Sequence, residues 1–427
     1  MNEKSLLMKD LNFRNLWVGQ TVSMFGSQIT YFALPLIAAI TLGVSSSEIG
    51  FLRAFEYLPS LLFGLFMGVY VDSLDKKKLL FISDVFRGLL LLSIPILFYI
   101  DALNIYWLWI FGFLLGFFTT LFEIVYMSYL PLVVKKEKLI QGNSLFELSS
   151  SVFTISGPSL AGLLIQFVTA PFALIIDGIS FFISAIFIKR LRNERDLEET
   201  GDAKEKNKTN NVFLAIREGF IYIKETKFLI VVIFSSGLTN LANAFIFPVF
   251  MIYITQDLGL SPISIGFVFS FAGVGALIGA IFNKRIASKI GIGNTILYSL
   301  FLTFISYLFI PLGSRFEGLA FATLLITQFT IGLSATIRNI NLVSVRMSIT
   351  QEVFLGRVNS TFKFILLGVV PVGSILGGAI GELMGNQEAI IIGSFIFLPS
   401  LLIILFSKLS MFQTIDEISH VSQEKTS

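Results

Sequence analysis

The stretch GVYVDSLDKKK, Gly68 to Lys78, places five charged side chains (Asp72, Asp75, Lys76, Lys77 and Lys78) between two long apolar runs. IGFLRAFEYLPSLLFGLFMG runs up to it and LLFISDVFRGLLLLSIPILFYI leaves it. Each run is long enough to cross the ~30 Å hydrocarbon core of a bilayer as a helix. A charged turn between two spans belongs at the polar face of a membrane, and its lysines favour the inner face.

The rest of the chain repeats this pattern. Of 427 residues, 55% are hydrophobic and only 14% charged, against roughly 25% charged in soluble domains. Apolar stretches fall at 14–43, 49–72, 79–100, 104–133, 145–168 and 171–188, then at 228–256, 262–283, 291–313, 317–337, 360–384 and 388–407. These runs lack the period-two alternation of barrel strands. They predict an all-α membrane protein of twelve transmembrane helices. With the N-terminus inside, every Lys and Arg of the 31 except Arg53, Arg87 and Arg315 falls in an inner segment. Both termini are therefore expected inside. The N-terminal MNEKSLLMKDLNFRNLW shows no small-residue cleavage site before the first run, which is expected to be retained.

Composition also excludes several chemistries. There is no cysteine, hence no thiolate or disulfide. The only histidine, His420, lies in the polar tail, so no imidazole metal site or relay is expected in the membrane. No Gly-x-x-x-x-Gly-Lys-Ser/Thr loop supplies nucleotide drive. No enzyme constellation, cofactor, metal or nucleic-acid partner is expected.

An internal repeat organises the chain. Ile49-Gly50-Phe51 and Ile265-Gly266-Phe267 align at a shift of 216 residues, as do Asn143-Ser144 with Asn359-Ser360 and Gly157 with Gly373. Two six-helix halves, 1–190 and 228–407, are expected in parallel pseudo-symmetry. Between them a charged linker at 191–227 ends in a segment with helical apolar spacing (Val212, Phe213, Ile216, Phe220, Ile223), suited to the inner interface. A polar tail, 408–427, is expected inside.

Here the sequence resembles the major facilitator superfamily, and within it the branch of macrolide-efflux and enterobactin-exporter-like permeases. Gly68 and Asp72 are similar to the family's Gly-x-x-x-Asp-Arg-x-x-Arg-Arg/Lys loop, with Ser73 in place of its arginine and Lys76 and Lys77 supplying later charges. SDVFR, carrying Asp84 and Arg87, resembles the acidic–basic pair that opens the third helix. SGPSLAG (Gly157, Pro158, Gly162) resembles the antiporter motif, although Phe153 stands where a further glycine belongs. PVGSILGG (Pro371, Gly373, Gly377, Gly378) is its counterpart in the second half. The resemblance implies a monomeric secondary exporter in the bacterial plasma membrane, moving amphipathic small molecules, with macrolide-type and other multidrug efflux in view, by alternating access and proton antiport. A dedicated exporter of one natural product, such as a siderophore or peptide antibiotic, is the alternative.

Within that frame, Asp72 is expected to pair with Arg87, Arg346 or Lys363 in one conformation and so latch the halves. Ionisable groups inside spans are costly and mark function. Glu123 is the first candidate for proton coupling, followed by Glu56 and Asp177. The arginine that many superfamily antiporters carry in the fourth helix is absent. A cavity for an amphiphile is expected to draw on Tyr31, Phe32, Arg53, Tyr126, Asn240, Asn243 and Phe245, the two amides because a carboxamide in lipid needs a partner.

Overall fold

The computed structural model describes residues 11–71, 74–134, 139–191, 212–313, 318–414 and 417. Asp72, at the centre of the expected latch, lies outside them, as does most of the charged linker. All regular elements among the described residues are helical. The chain runs through α1 (Leu11–Leu36), α2 (Ser46–Val71), α3 (Lys76–Tyr99), α4 (Ile105–Val133), α5 (Leu139–Val168) and α6 (Ala170–Lys189). After α7 (Val212–Glu225) come α8 (Lys227–Ile252), α9 (Pro262–Ile290), α10 (Ile292–Gly313), α11 (Ala320–Ile349) and α12 (Leu355–Met384). The last two are α13 (Asn386–Phe395) and α14 (Phe397–Phe406). Among the described residues, eleven segments are long and apolar enough to cross a membrane, with α13 and α14 together forming the last. The interruption between these two has a local cause. Pro399 lacks the amide hydrogen that Phe395 O would accept, and its ring crowds that carbonyl.

Polar caps start the helices where the sequence turns. Ser45 and Glu48 form a reciprocal capping box on α2, with Ser45 N donating to Glu48 Oε2 at 2.8 Å and Glu48 N to Ser45 Oγ at 3.4 Å. Asp75 caps α3 by accepting from Lys78 N at 3.0 Å. Two of the five charges at 68–78 thereby have defined work, because Lys77 Nζ also donates to the carbonyl of Leu191 just past α6, at 2.5 Å.

The chain divides into two compact units, 1–43 with 55–212 and 44–54 with 213–427. In the first, α1 packs on α5 and α6, and α3 on α4 and α6. In the second, α8 packs on α12, α13 and α14, α10 on α11, α13 and α14, and α9 on α11. One end of each unit is a single apolar cluster. Phe13, Val71, Leu80, Tyr129 and Ile188 meet in the first, and Leu229, Ile296, Val345, Phe362 and Ile404 in the second. The starts of α1 and α3 and the ends of α2, α4 and α6 gather in the first, and the starts of α8, α10 and α12 and the ends of α11 and α14 in the second, so consecutive helices alternate in direction. The first turns of α2 belong to the second unit. Ser46 Oγ donates to Asn386 Oδ1 at 2.5 Å, and Gln256 Nε2 to Val44 O at 3.0 Å.

Contacts recur at the 216-residue offset. Gly157 of α5 faces Gln28 of α1, and Gly373 of α12 faces Ala244 of α8. Gly19 faces Ser184, and 216 residues on Ser235 Oγ shares a 2.8 Å hydrogen bond with Ser400 Oγ. Even an irregularity recurs. α1 and α8 both end in a π-turn, Ile37–Thr41 and Tyr253–Asp257, each closed by a 2.9 Å bond from the amide five residues on.

Candidate functional site

Two polar sites interrupt this apolar packing, one in each unit. In the first unit α1, α3 and α6 enclose Asp84, Arg87 and Asp177, at 0%, 5% and 0% exposure. Arg87 forms an ion pair with Asp84 one turn away. Its guanidinium is held between the rings of Phe122 (4.3 Å) and Phe181 (4.2 Å). Asp177 accepts from Thr30 Oγ1 of α1 and from Ser180 Oγ at 2.8 Å, and it lies within electrostatic reach of both Arg87 and Asp84. Gly26 leaves the room on α1 that the Asp177 and Ser180 side chains occupy. A second buried carboxylate thus stands in the field of a guanidinium that is already paired with the first.

The second unit fills the related positions differently. Leu300 stands 216 residues beyond Asp84, Thr303 beyond Arg87, Ile246 beyond Thr30 and Gly393 beyond Asp177. Gly393 there simply lets Ile246 and Phe245 approach. The same helix contacts therefore form without any acid, so the fold does not demand the cluster.

The second site is a pocket of about 360 Å³ among α8, α11 and α12. Its polar wall carries Ser236, Asn240, Asn243, Arg338, Asn339 and Arg346, and its apolar wall includes Val232, Leu342 and Leu366. Arg338 donates to Thr303 Oγ1 at 3.3 Å, and Arg346 lies 4.6 Å over the Phe362 ring with its Nε unpaired. Asn243 Oδ1 accepts from Tyr307 OH at 3.0 Å, and Asn240 Nδ2 donates to Ser236 O. A neighbouring groove of about 520 Å³ between α7, α8 and α12 is almost wholly apolar, with Lys224 as its charged lining residue.

The residues singled out from sequence are dispersed around these sites. Asn240, Asn243 and Arg346 meet in the pocket. Phe32 and Phe245 are core residues at 3% exposure, while Tyr31 is exposed beside Phe32. Tyr126 stacks on Phe122, and Arg53 lies 4.5 Å over the Phe247 ring. Glu123 is exposed on α4, Glu56 is half-buried, and Asp177 alone of the three proton candidates is fully buried. Lys363 is exposed and Lys76 half-buried. Pro158 and Gly162 are buried with Gly157 in α5, and Pro371, Gly377 and Gly378 with Gly373 in α12. Gly68 lies in α2. Arg87, expected at the latch, is occupied within its own unit by Asp84 and two aromatic rings. Sequence reasoning left out Asn339, Ser236 and a pocket role for Arg338. The signal was present, because Thr336, Asn339 and Arg346 mark one face of α11 at helical spacing.

Known proteins share this architecture. The chain is 24% identical to the uncharacterised MFS-type transporter YfiS of Bacillus subtilis over 66% of each sequence, so it spans about two thirds of that relative. It is 23% identical to macrolide efflux protein A of Streptococcus pyogenes, over 88% of this chain and 90% of that one. The crystal structure of the nucleoside transporter NupG superposes with a TM-score of 0.71 at 13% identity, covering 92% of this chain and 98% of that one. The family model for the Major Facilitator Superfamily matches residues 16–365. The chain is a multi-pass membrane transporter and belongs to the Major Facilitator Superfamily.

Proposed function

We propose that the protein is a proton-coupled exporter of amphipathic small molecules in the bacterial cytoplasmic membrane. In this reading α2 completes a set of twelve spans and both termini lie inside. Relatives named for efflux support the direction of transport. The observation that carries the coupling is the buried Asp84–Arg87–Asp177 cluster. One guanidinium cannot neutralise two carboxylates, and an uncompensated charge in a dry, lipid-embedded core is costly. Charge balance is met when one of the two carboxylates holds a proton. The related site of the second unit manages without acids, so the cluster has a task other than packing. Proton loading there alters the hydrogen bonds of Asp177 to α1 and α6, and so gives the proton a mechanical handle on helices of one half.

The test is transport by the purified protein in liposomes under an imposed pH gradient, with a panel of dyes and macrolides as substrates. Asp177→Asn is expected to lower proton-driven export at least about tenfold, the effect of losing one charged interaction, while binding is kept. Glu123→Gln is expected to retain export. Folding of each variant is verified by gel filtration. Full proton-driven export by Asp177→Asn would remove that residue from the coupling. Wild-type export that ignores a protonophore would remove proton antiport itself.

A further inference from the structure

The pocket of the second unit carries two positive charges and no negative one. Arg338 is 7% exposed, yet its hydrogen bond goes to a hydroxyl, and Arg346 faces an aromatic ring. Among the described residues no carboxylate pairs with either, and none lines the pocket. Guanidinium groups at membrane depth are ordinarily matched by acids or backbone carbonyls. The neutral partners strengthen the bias. With Asn243 Oδ1 already engaged by Tyr307, that amide offers its NH₂ as a donor, and Asn240 and Asn339 bring the carboxamides of the lining to three. The fold does not impose this arrangement either. Phe122, Glu123 and Leu130 stand 216 residues before Arg338, Asn339 and Arg346.

We propose that the pocket binds the anionic group of an amphipathic substrate, a carboxylate or phosphate, with Arg346 and Arg338 as its counter-charges and Val232, Leu342 and Leu366 against its apolar body. A guanidinium presents a planar fork of donors that matches either oxyanion. At about 360 Å³ the pocket is in the size range of small-molecule sites. This rests on the reading above that the chain is an exporter, and it narrows the substrate class to acids. It also gives Arg346 a ligand where sequence reasoning gave it a latch partner.

The experiment uses three dansyl probes of similar size on the purified full-length protein: dansyl-phenylalanine, its primary amide, and dansylcadaverine. They are respectively anionic, neutral and cationic. Fluorescence titration is expected to show the acid binding about tenfold or more tightly than the amide, as for a hydrogen bond to a charged group, with the cation weakest. A phosphorylated dansyl alcohol, run alongside, distinguishes phosphate from carboxylate. Arg346→Gln is expected to abolish the acid-over-amide ratio and Arg346→Lys to keep part of it. Asn339→Asp puts a carboxylate in the pocket, cancels one of its two positive charges, and is expected to shrink the acid-over-amide ratio without inverting it. This guards against a result that reflects only misfolding of Arg346→Gln. Equal binding of the three probes, no binding of either anion, or an unchanged ratio in Arg346→Gln overturns the proposal. Transport of the same probes separates the two readings. Tight binding of the acid without its export leaves the pocket assignment standing and removes the exporter. Export of all three without preference does the reverse.

Discussion

Replacing Gly373 by alanine should loosen the second unit, and replacing Gly237 should not. Both glycines lie inside long helices, α12 and α8, so each substitution gains about 0.5–1 kcal/mol of helix propensity. They differ in what the new methyl meets. At Gly373 an added Cβ falls 2.8 Å from Leu241 O, 2.9 Å from Ala244 Cβ and 3.2 Å from Phe245 N. Reaching the 3.4 Å of ordinary contact from 2.8 Å needs a shift of 0.6 Å. Most of what must move is the backbone of α8, which cannot swing aside like a side chain. Overpacking of this kind costs about 1–3 kcal/mol. At Gly237 the nearest atom is Ile365 Cγ2 at 3.9 Å, beside the open groove. The two variants should therefore separate by about 1–3 kcal/mol, or roughly 1–3 °C in melting temperature for a chain of 427 residues. Gly157→Ala should fall with Gly373→Ala, since its new methyl lands 2.7 Å from Gln28 Cβ, an atom tied to the backbone of α1. Melting in detergent at one fixed scan rate, read by the helical circular dichroism of the whole chain, ranks the three. If Gly373→Ala melts with or above Gly237→Ala, the close approach of α8 and α12 is not what sets the stability of that seam.

Two further outcomes follow from buried or clamped polar contacts. Ser400→Ala leaves Ser235 Oγ without its 2.8 Å partner in a fully buried site and should cost about 1–3 kcal/mol, whereas the Ser235→Ala/Ser400→Ala double variant should cost less than Ser400→Ala alone. A thermal-melt double-mutant cycle measures the difference. Asn386→Ala removes the hydrogen bonds from Ser46 and to Asp257 that hold the start of α2. A loss of about 1 kcal/mol corresponds to roughly fivefold more of the released state. Because the chain has no cysteine, maleimide labelling of Ser47→Cys reads that release directly, and an unchanged rate would refute it.

The spans were legible because hydrophobic length is their whole requirement. α4 is expected at 104–133 and found at Ile105–Val133, and α10 is expected at 291–313 and found at Ile292–Gly313. The overruns are equally instructive. α9 continues to Ile290 and α11 to Ile349, past the runs expected to end at 283 and 337, because Lys, Arg and Asn interrupt an apolar run without stopping a helix. The break at Ile396 could have been read from Pro399, but a lone proline inside a span often only bends it. The functional sites were legible in kind and not in grouping. Asp84 and Arg87 stood out as a motif, yet nothing linear tells that Asp177, ninety residues away, completes their charge count. Arg346 stood out as a cation, and its pocket needed α8 and α11 side by side. Phe245 was indistinguishable in sequence from a cavity aromatic until Gly377 and Gly393 were found seated against it.

The paired π-turns that end α1 and α8 have a historical consequence. A π-turn holds one residue more than the α-turn it replaces, and it survives only while the surroundings favour it. Two such extra residues, at Ile37–Thr41 and Tyr253–Asp257, stand in the same register of the two repeats. A single insertion, made in an ancestral six-helix gene before that gene was doubled, accounts for both. The bulge would then be older than the doubled chain, a trait each half inherited from a smaller parent.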